Sequence, residues 1–359
     1  MKAAVYVGDP KSLALEDLKP NPPGPRDVVV EIGASGVCHS DLSIMRGYVP
    51  VPPGMVLGHE GAGRVVEVGA EVSRVKKGDR VVASFVPACG ACWSCLRDQS
   101  ELCERENEIS MQMRGTRPDG NPYFCMTGLG TFSSVMTVDE ASVVKVETDL
   151  PDTQLALIGC GVTTGVGAAL NTARVRPGAT VAVLGCGGVG QAVIQGARIA
   201  GAGRIIAIDP QPLKRKMATQ LGATDVVDPS AGDVVEQVKA LTSGRGVDYA
   251  FEVIGLPETI VTTYNLARRG GEVIVVGMAR FDAQFTLPAF DVFYSQKTLK
   301  GSKYGSAQVR RDFPRFVELI ETGRLDISSM VSKTIKLDGV NDAFRAMEAG
   351  EVIRSVITR

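Results

Sequence analysis

The stretch Val181-Ala182-Val183-Leu184-Gly185-Cys186-Gly187-Gly188-Val189-Gly190 decides the fold of this chain. Its first four residues are apolar and predict a buried strand, and Gly185-x-Gly187-x-x-Gly190 predicts a tight turn that opens a helix at residues 191–200. The three glycines would let the backbone approach a pyrophosphate, whose charge would meet the amino terminus of the helix. The stretch therefore predicts a nucleotide-binding turn, against the simpler alternative of an ordinary tight turn between a strand and a helix.

Asp209 gives this turn its nucleotide context. It lies nineteen residues after Gly190, at the end of the apolar segment 205–208, where a carboxylate would accept hydrogen bonds from the hydroxyls of the adenosine ribose. The same carboxylate would repel a 2′-phosphate, so the sequence favours NAD over NADP. Lys214, five residues further on, is expected to reach the same ribose.

The pattern of predicted strands and helices changes at residue 181. From there on, apolar segments alternate with helical ones, as is typical of a parallel sheet covered by helices on both faces. Before it, short strands are separated by Pro and Gly turns. The last segments, a helix at 313–322 and a strand at 354–358, are expected to return to the first domain. Further strands are predicted at residues 28–32, 63–68, 80–83, 225–227, 247–252 and 272–276.

Composition excludes several classes of protein. The chain has 359 residues, enough for two domains, and its 39 basic and 40 acidic side chains leave a net charge of −1. Neither nucleic acid nor an anionic membrane is therefore expected as a partner. Asp9 interrupts the amino-terminal apolar stretch, so no signal peptide is predicted, and no apolar run approaches the roughly 20 residues that span a bilayer. Eight cysteines without a secretory segment indicate reduced, metal-binding thiols in a cytoplasmic enzyme.

Four cysteines lie close together, at Cys89, Cys92, Cys95 and Cys103. Soft thiolates at this spacing can wrap one tetrahedral metal ion in a small lobe, here residues 86–130. The alternative is four unrelated buried cysteines, but a chain with eight cysteines seldom places four of them so near each other. Because all four metal positions would be filled by the protein, the spacing predicts a structural rather than a catalytic zinc ion.

A second group of ligand types is spread along the chain, at Cys38, His59 and Cys160. Two thiolates, one imidazole and one open position form the ligand set of a catalytic zinc ion. Each residue alone also has an ordinary explanation, since single buried cysteines and histidines are usually inert parts of a core. Glu60, next to His59, is a candidate carboxylate that tunes the metal or exchanges into its coordination sphere. From these residues alone, both interpretations stay open.

The chain resembles one family, the zinc-containing medium-chain alcohol dehydrogenases, over essentially its whole length. The order and spacing of three motifs carry the resemblance: Gly58-His59-Glu60-x-x-Gly63-x5-Gly69-x-x-Val72, Cys160-Gly161-x-x-Thr164-Gly165 and Ile353-Arg354-Ser355-Val356. The resemblance implies an α/β fold in which a Rossmann doubly wound parallel sheet is inserted in a β-rich GroES-like catalytic domain. The implied boundaries are a catalytic domain at 1–161, a dinucleotide-binding domain at 162–302 and a return to the catalytic domain at 303–359.

The resemblance also implies a role for individual residues. Cys38, His59 and Cys160 match the catalytic zinc ligands, with Glu60 beside them, and Ser40 matches the hydroxyl that takes the proton of the substrate. The other matches contact the cofactor or the substrate: His39 and Arg354 the pyrophosphate, Thr164 and Val189 the nicotinamide, Phe85 and Met278 the substrate pocket. The implied cofactors are NAD and two zinc ions per chain.

One position departs from the family pattern. Many members carry a histidine five residues beyond the first zinc cysteine, which passes the proton to solvent, whereas this chain has Ser43 there. Proton exit would therefore depend on Ser43, cofactor hydroxyls or water. The long segment between Cys103 and Thr131 resembles the dimeric branch of the family, so a homodimer is expected, with a tetramer as the alternative. The chain also resembles class III and actinobacterial thiol-adduct or nicotinoprotein dehydrogenases.

The expected activity is hydride transfer between NAD(H) and a primary alcohol or its aldehyde. Residues 48–53 are apolar and contain no acid, which favours an apolar or aromatic substrate. A rival activity is oxidation of a thiol–formaldehyde adduct, which would need charged side chains around the pocket to hold the thiol. A third hypothesis, a non-catalytic scaffold on a dehydrogenase fold, conflicts with the complete zinc ligand set and the glycine turn.

Overall fold

The computed structural model describes the whole chain, Met1–Arg359, and contains two compact units. The first unit comprises Met1–Gly161, Gln308–Gly323 and Ile327–Arg359, and the second comprises Val162–Ala307 and Arg324–Asp326. Most of the chain after residue 307 therefore belongs to the first unit.

The chain leaves the second unit five residues later than the expected boundary between 302 and 303. The reason is a turn at Lys303–Ser306 that the second unit holds through side chains. The carbonyl of Gly305 accepts a hydrogen bond from the Asn171 amide at 3.4 Å, and the Thr172 hydroxyl lies 2.8 Å from that of Ser306. These bonds extend the second unit to Ala307.

The strands are numbered here in chain order. They are β1 (Lys2–Tyr6), β2 (Ala14–Asp17), β3 (Lys19–Pro20), β4 (Asp27–Val37), β5 (Met55–Val56), β6 (Glu60–Val68), β7 (Arg80–Ala83), β8 (Gly115–Thr116), β9 (Pro122–Cys125), β10 (Val135–Asp139), β11 (Val143–Lys145), β12 (Thr180–Leu184), β13 (Arg204–Ile208), β14 (Asp225–Val227), β15 (Val247–Glu252), β16 (Ala267–Val275), β17 (Thr298–Gly301), β18 (Val331–Ile335) and β19 (Arg354–Thr358).

The α-helices are numbered in the same way. They are α1 (His39–Met45), α2 (Glu106–Ser110), α3 (Asp152–Leu157), α4 (Thr163–Gly167), α5 (Gly188–Ile199), α6 (Pro212–Leu221), α7 (Val234–Leu241), α8 (Pro257–Leu266), α9 (Ala289–Ser295), α10 (Val309–Glu321) and α11 (Val340–Glu348).

The first unit is built on the long strand β4. Its larger sheet has the order β11-β7-β6-β4-β19-β18, and β10 also pairs with β4. All three neighbours of β4 run antiparallel to it: β6 along most of its length, β10 beside its first half and β19 beside its second. Val28, Val30, Val65 and Val81 are almost completely buried in the core of this sheet. A smaller sheet in the same unit has the order β2-β1-β5-β9-β8-β3.

The second unit is built on a sheet in which every strand pair is parallel, with the order β14-β13-β12-β15-β16-β17. Chain order reverses at β12, because β13 and β14 lie on one side of it and β15 to β17 on the other. Val181 and Val183 face a core shared with α5 and α6, whereas Ala182 and Leu184 face a core shared with α7 and α8. Helices thus cover both faces, which confirms the predicted doubly wound parallel sheet.

Four strands, β7, β14, β15 and β19, have the bounds predicted from the sequence. Other elements are longer than predicted. β4 continues to Val37 through two glycines that resemble a turn, and β16 begins at Ala267, before the apolar core of the strand. α5 begins at Gly188 because the second half of the glycine turn is already helical. α10 begins at Val309, four residues before its predicted start at Phe313.

One helical segment, Asp152–Thr172, is long and apolar enough to cross a membrane, with a mean hydropathy of 1.4. However, 78% of its most apolar window is buried inside the protein, as in a core helix.

Candidate active site and metal centres

Pairing of β4 and β6 brings the first two candidate zinc ligands together. Cys38 follows β4 and is the N-cap residue of α1, and His59 directly precedes β6. Gly36 on β4 lies opposite Glu60 on β6, so the two ligands leave the sheet at the same edge. Cys160 lies on the helical turn after α3, and α3 packs against both strands.

These residues form one buried cluster. One ligand atom from each of Cys38, His59, Glu60 and Cys160 lies within 4.8 Å of all the others, and the four side chains are between 0% and 6% exposed. Cysteines bind metal as thiolates. With two thiolates and the Glu60 carboxylate, the cluster would carry three negative charges. The only buried cation paired with it is Arg354. Because buried charges need compensation, a divalent cation suits the cluster.

The orientation of His59 also suits a metal. Its Nδ1 lies 3.2 Å from the carboxylate of Asp41, whereas its Nε2 is buried and has no hydrogen-bond partner. Burial, the largest influence, would lower the pKa of His59, but Asp41 and Cys38 raise it well above the usual value. The surroundings therefore favour a positive charge on the imidazole edge, which a metal at Nε2 would supply.

The thiols of Cys38 and Cys160 interact with each other through a hydrogen bond. A hydrogen bond from the Cys160 thiol, together with the charges of His59 and Arg354, lowers the pKa of Cys38 well below its usual value, although burial opposes this shift. The same contact with Cys38, together with burial, raises the pKa of Cys160. One thiolate thus forms readily in this cluster.

Glu60 is paired with Arg354, a contact that the sequence did not predict. Both side chains are buried, and the guanidinium donates a hydrogen bond to the carboxylate. Burial raises the pKa of Glu60 to about 7, although Arg354 opposes the shift. The Nε of Arg354 has no partner, so its expected contact with a pyrophosphate stays a prediction.

Asp41 is a site residue that sequence reasoning missed. It is completely buried and accepts hydrogen bonds from the backbone N–H groups of Cys38 at 3.1 Å and Gly58 at 2.9 Å, besides its contact with His59. A carboxylate behind a ligand histidine fixes the tautomer and the ring orientation. The available signal was its place in the first turn of α1, three residues after Cys38.

Ser40 and Phe85 lie beside the cluster. The Ser40 hydroxyl is 3.8 Å from the sulfur of Cys38, and the Phe85 ring meets the imidazole of His59 edge-on, with 5.6 Å between ring centres. His39 is exposed at the start of α1, and Ser43 is half-buried one turn after Ser40. The cluster therefore has one hydroxyl and one aromatic neighbour.

The four cysteines of the lobe come together as predicted. The four sulfur atoms of Cys89, Cys92, Cys95 and Cys103 lie within 4.8 Å of one another. The distances from Cys89 to Cys95 and from Cys92 to Cys103 are 3.9 Å and 4.0 Å, close to the edge of about 3.8 Å expected for a tetrahedron with zinc–sulfur bonds of about 2.3 Å. Backbone N–H groups of Cys95 and Glu104 lower the pKa of Cys92 to about 6. The donor set suits a structural zinc ion.

The glycine turn in the second unit has the geometry of a nucleotide cradle. Gly185 has a φ of +96°, which favours glycine, and a Cβ at Gly187 would extend into open space. Gly190 packs directly on the backbone of Gly185, which leaves no room for a side chain. The amino terminus of α5 is therefore accessible to a pyrophosphate.

Asp209 and Lys214 lie behind this turn. Asp209 is buried and accepts hydrogen bonds from the N–H groups of Cys186 at 2.9 Å and Gln211 at 2.8 Å. The Lys214 ammonium lies 4.0 Å from the Asp209 carboxylate. Asp209 thus directly follows β13, and Lys214 lies in the first turn of α6, so both stay candidates for the predicted contact with a ribose.

The predicted nicotinamide contacts also lie in the second unit. Gly165, next to Thr164, packs so closely on α5 that a Cβ there would lie 2.6 Å from that of Ala192. This packing brings Thr164 near Val189, the second residue of α5. Met278 follows β16 and is 49% exposed.

Two family models match the chain. The model described as zinc-binding dehydrogenase matches residues 188–322, and that described as alcohol dehydrogenase GroES-like domain matches residues 24–148. The S-(hydroxymethyl)glutathione dehydrogenase of Photobacterium damsela subsp. piscicida is 39% identical, and the alignment covers 99% of each chain.

Two solved structures of similar proteins also match this chain. The alcohol dehydrogenase zinc-binding domain protein from Burkholderia ambifaria has a TM-score of 0.94 and is 31% identical. The benzyl alcohol dehydrogenase from Acinetobacter calcoaceticus has a TM-score of 0.93 and is 30% identical. Each comparison covers 99% of this chain and 98% of the other.

Proposed function

This chain belongs to the zinc-containing medium-chain alcohol dehydrogenases, and from that membership we propose that its substrate is a primary alcohol or aldehyde with an apolar or aromatic side chain. The enzyme is an NAD-dependent oxidoreductase, with one zinc site at Cys38, His59, Glu60 and Cys160 and another in the four-cysteine lobe.

The observation that carries the substrate class is the contact between Phe85 and His59. It makes the surface next to the metal cluster aromatic on one side. The segment from Tyr48 to Pro53 adds apolar side chains and no acid, and Val49 and Val51 pack against the core of the first unit. The substrate contact that the family resemblance implies for Met278, which belongs to the second unit, stays a prediction.

When bound, zinc would act as a Lewis acid on the substrate oxygen, and NAD would accept the hydride. Cys38, His59 and Cys160 would hold the metal. The Glu60 carboxylate would place a further negative charge beside it. Ser40 Oγ would accept the hydroxyl proton of the alcohol. Ser43, one turn further along α1, would pass this proton towards solvent in place of the usual histidine.

The residues of the second unit would hold NAD. Gly185, Gly187 and Gly190 would admit the pyrophosphate to the amino terminus of α5. The pyrophosphate contacts that the family resemblance implies for His39 and Arg354, which belong to the first unit, stay a prediction. The carboxylate of Asp209 would accept the ribose hydroxyls, helped by Lys214, and would exclude NADP by repulsion. Thr164 and Val189 would pack on the nicotinamide.

Oxidation of a thiol–formaldehyde adduct is the second candidate function. The observation that favours it is the 39% identity to an S-(hydroxymethyl)glutathione dehydrogenase over the whole chain. A peptide-like thiol carries several charges, which would need cationic or acidic partners near the metal. The apolar composition of residues 48–53 argues against such partners, so we rank this candidate second.

Initial rates with a series of alcohols test the proposal. Because each buried methylene contributes about 0.8 kcal/mol, we expect kcat/KM to rise from ethanol to hexanol and benzyl alcohol, by up to about fourfold per methylene. Polyols should react poorly, since each buried unpaired hydroxyl costs about 1–3 kcal/mol. A flat or reversed series, or activity only with formaldehyde plus a low-molecular-weight thiol, would favour the second candidate.

Assembly as a homodimer is part of the proposal, with a tetramer as the alternative. β17 is an edge strand of the parallel sheet, and the neighbouring helix α9 exposes three aromatic side chains, Phe290, Phe293 and Tyr294, by 53–77%. Exposed apolar groups next to an unpaired strand edge favour contact with a second copy. We also keep the cytoplasmic location as a prediction.

A further inference from the structure

The parallel sheet of the second unit has a cleft at the amino ends of its strands. The cleft has a volume of about 460 Å³ and is lined mainly by the first or second residues of four adjacent strands, β13, β12, β15 and β16, and by the loop between α7 and β15. The glycine turn and Asp209 follow the carboxyl ends of β12 and β13, at the opposite edge of the sheet. Volumes of about 300–1,000 Å³ are typical of small-molecule sites, so the cleft has the size of a second binding site.

Three arginine side chains line this cleft. The Nε atom of Arg204 lies 3.3 Å from the Asp225 carboxylate, and that of Arg268 donates a hydrogen bond to Asp248 at 2.6 Å. The Arg245 side chain is exposed and makes no hydrogen bond or ion pair. Three guanidinium groups and two carboxylates leave an excess of one positive charge, which a bound anion would compensate.

Asp248 holds Arg268 in a fixed orientation. One oxygen atom of its carboxylate accepts hydrogen bonds from the N–H group and the hydroxyl of Thr180, both at 2.8 Å, and the other accepts from Arg268. Nη1 of Arg268 also donates to the carbonyl of Arg269 at 2.7 Å, whereas its Nη2 has no partner in the protein. Because the guanidinium is already oriented, it loses little side-chain entropy when it binds a ligand. The N–H groups of Nη2 are therefore available to an anion.

The loop between α7 and β15 is held in a strained conformation. The buried Thr242 hydroxyl donates a hydrogen bond to the carbonyl of Val238 at 2.8 Å and accepts one from the N–H of Gly246 at 3.0 Å. Ser243, which lines the cleft, has a φ of +53°, a left-handed conformation that is strained for a residue with a side chain. The carboxyl terminus of α7 lies at the same edge, but its partial charge of about −0.5 is smaller than the charge of Arg245. The excess charge at the cleft thus stays positive.

We propose that this cleft binds the phosphate group of a small organic phosphate, at a site separate from the crevice for NAD. Guanidinium groups bind phosphate through paired N–H donors, and those of Arg204, Arg245 and Arg268 come from three different elements around the cleft. A phosphate monoester offers three terminal oxygen atoms to such donors, whereas a carboxylate offers two. The Ser243 hydroxyl adds a neutral donor, and the volume of the cleft leaves room for the organic part of the ligand.

Titration of the zinc-loaded enzyme with ribose 5-phosphate, followed by phosphorus NMR in about 0.1 M salt, tests this inference. NAD would be present at about ten times its dissociation constant, so that its crevice is occupied. We expect saturable binding with a Kd of about 1 mM or lower. Arg245→Gln should weaken this binding by about 10- to 100-fold, because it removes charged donors. Arg269→Gln is the matched control and should keep the parental affinity, since Arg269 follows Arg268 on β16 but lies outside the cleft, 4.4 Å from the centre of the Tyr294 ring.

Absence of saturable binding to the parent, or parental affinity in Arg245→Gln, would overturn the inference. Displacement of the probe by NAD would overturn it as well, because the phosphate would then occupy the crevice. Equal weakening in Arg269→Gln would indicate attraction to general surface charge and would also contradict the site. Because the Arg245 side chain has no partner to lose, the variant should fold like the parent by circular dichroism. The inference does not rest on the alcohol substrate, so its failure would leave the proposed function untouched.

Discussion

Asp41→Asn should release the zinc ion of the Cys38, His59 and Cys160 site while the ion of the four-cysteine lobe stays bound. An amide oxygen in place of Oδ1 can still accept from Gly58 and His59, but the amide nitrogen would face the N–H of Cys38. The substitution therefore removes one hydrogen bond and buries two opposed donors. This costs about 1–3 kcal/mol of folding free energy, and Tm should fall by about 2–12 °C.

The loss of charge acts on the metal more directly. Substitution of a carboxylate behind a ligand histidine typically weakens metal binding by about 10- to 100-fold. We expect titration with a chelator, followed by mass spectrometric metal counting, to give one zinc ion per chain where the parent keeps two. Asp139→Asn is a matched control, since Asp139 is also buried in the first unit but caps a turn through the N–H of Ala141 at 2.8 Å. Two zinc ions in Asp41→Asn, with parental resistance to the chelator, would refute the reasoning.

Three further predictions concern other parts of the molecule. Cys103→Ser should lose the structural zinc ion and lower Tm by about 10 °C, because metal binding by the four thiolates is coupled to folding; Cys125→Ser, a thiol outside the lobe, is the control, and an unchanged zinc content would contradict the assignment. Asp209→Gly should reduce the preference for NAD over NADP at least about tenfold in kcat/KM, through loss of repulsion; equal use of NAD and NADP by the parent would contradict this role. Phe293→Asp should convert the proposed homodimer to a monomer in analytical ultracentrifugation, because it places a charge in the apolar face; a monomeric parent or an unchanged mass in the variant would contradict this interface.

The sequence predicted best what depends on local pattern. β12 and β13 lie within one residue of their predicted apolar segments because buried parallel strands are continuously apolar. The spacing of Cys89 and Cys103 predicted the metal lobe, because its ligands come from one short segment. The ligand types and the family resemblance predicted that Cys38 and Cys160 share one site, although they lie far apart in the chain.

What the sequence did not predict depends on contacts between distant segments. β4 continues through Gly36, which resembles a break, because the absent side chain leaves room for Leu157 and the Glu60 carboxylate. The pairing of Glu60 with Arg354 joins residues 294 positions apart, which no local pattern records. Asp41 was missed because an aspartate in the first turn of a helix usually needs no other explanation.

The position of β19 sets the order in which this enzyme can mature on the ribosome. The four-cysteine lobe is one short segment that is made before the second unit, so it can capture zinc before that unit exists. The second unit follows almost entirely as one contiguous stretch and can fold next. Glu60, however, must wait for Arg354, and at about 5–20 residues per second the 294 intervening residues take roughly 15 to 60 s. The catalytic cluster therefore gains its buried cation long after its four possible metal ligands have been made.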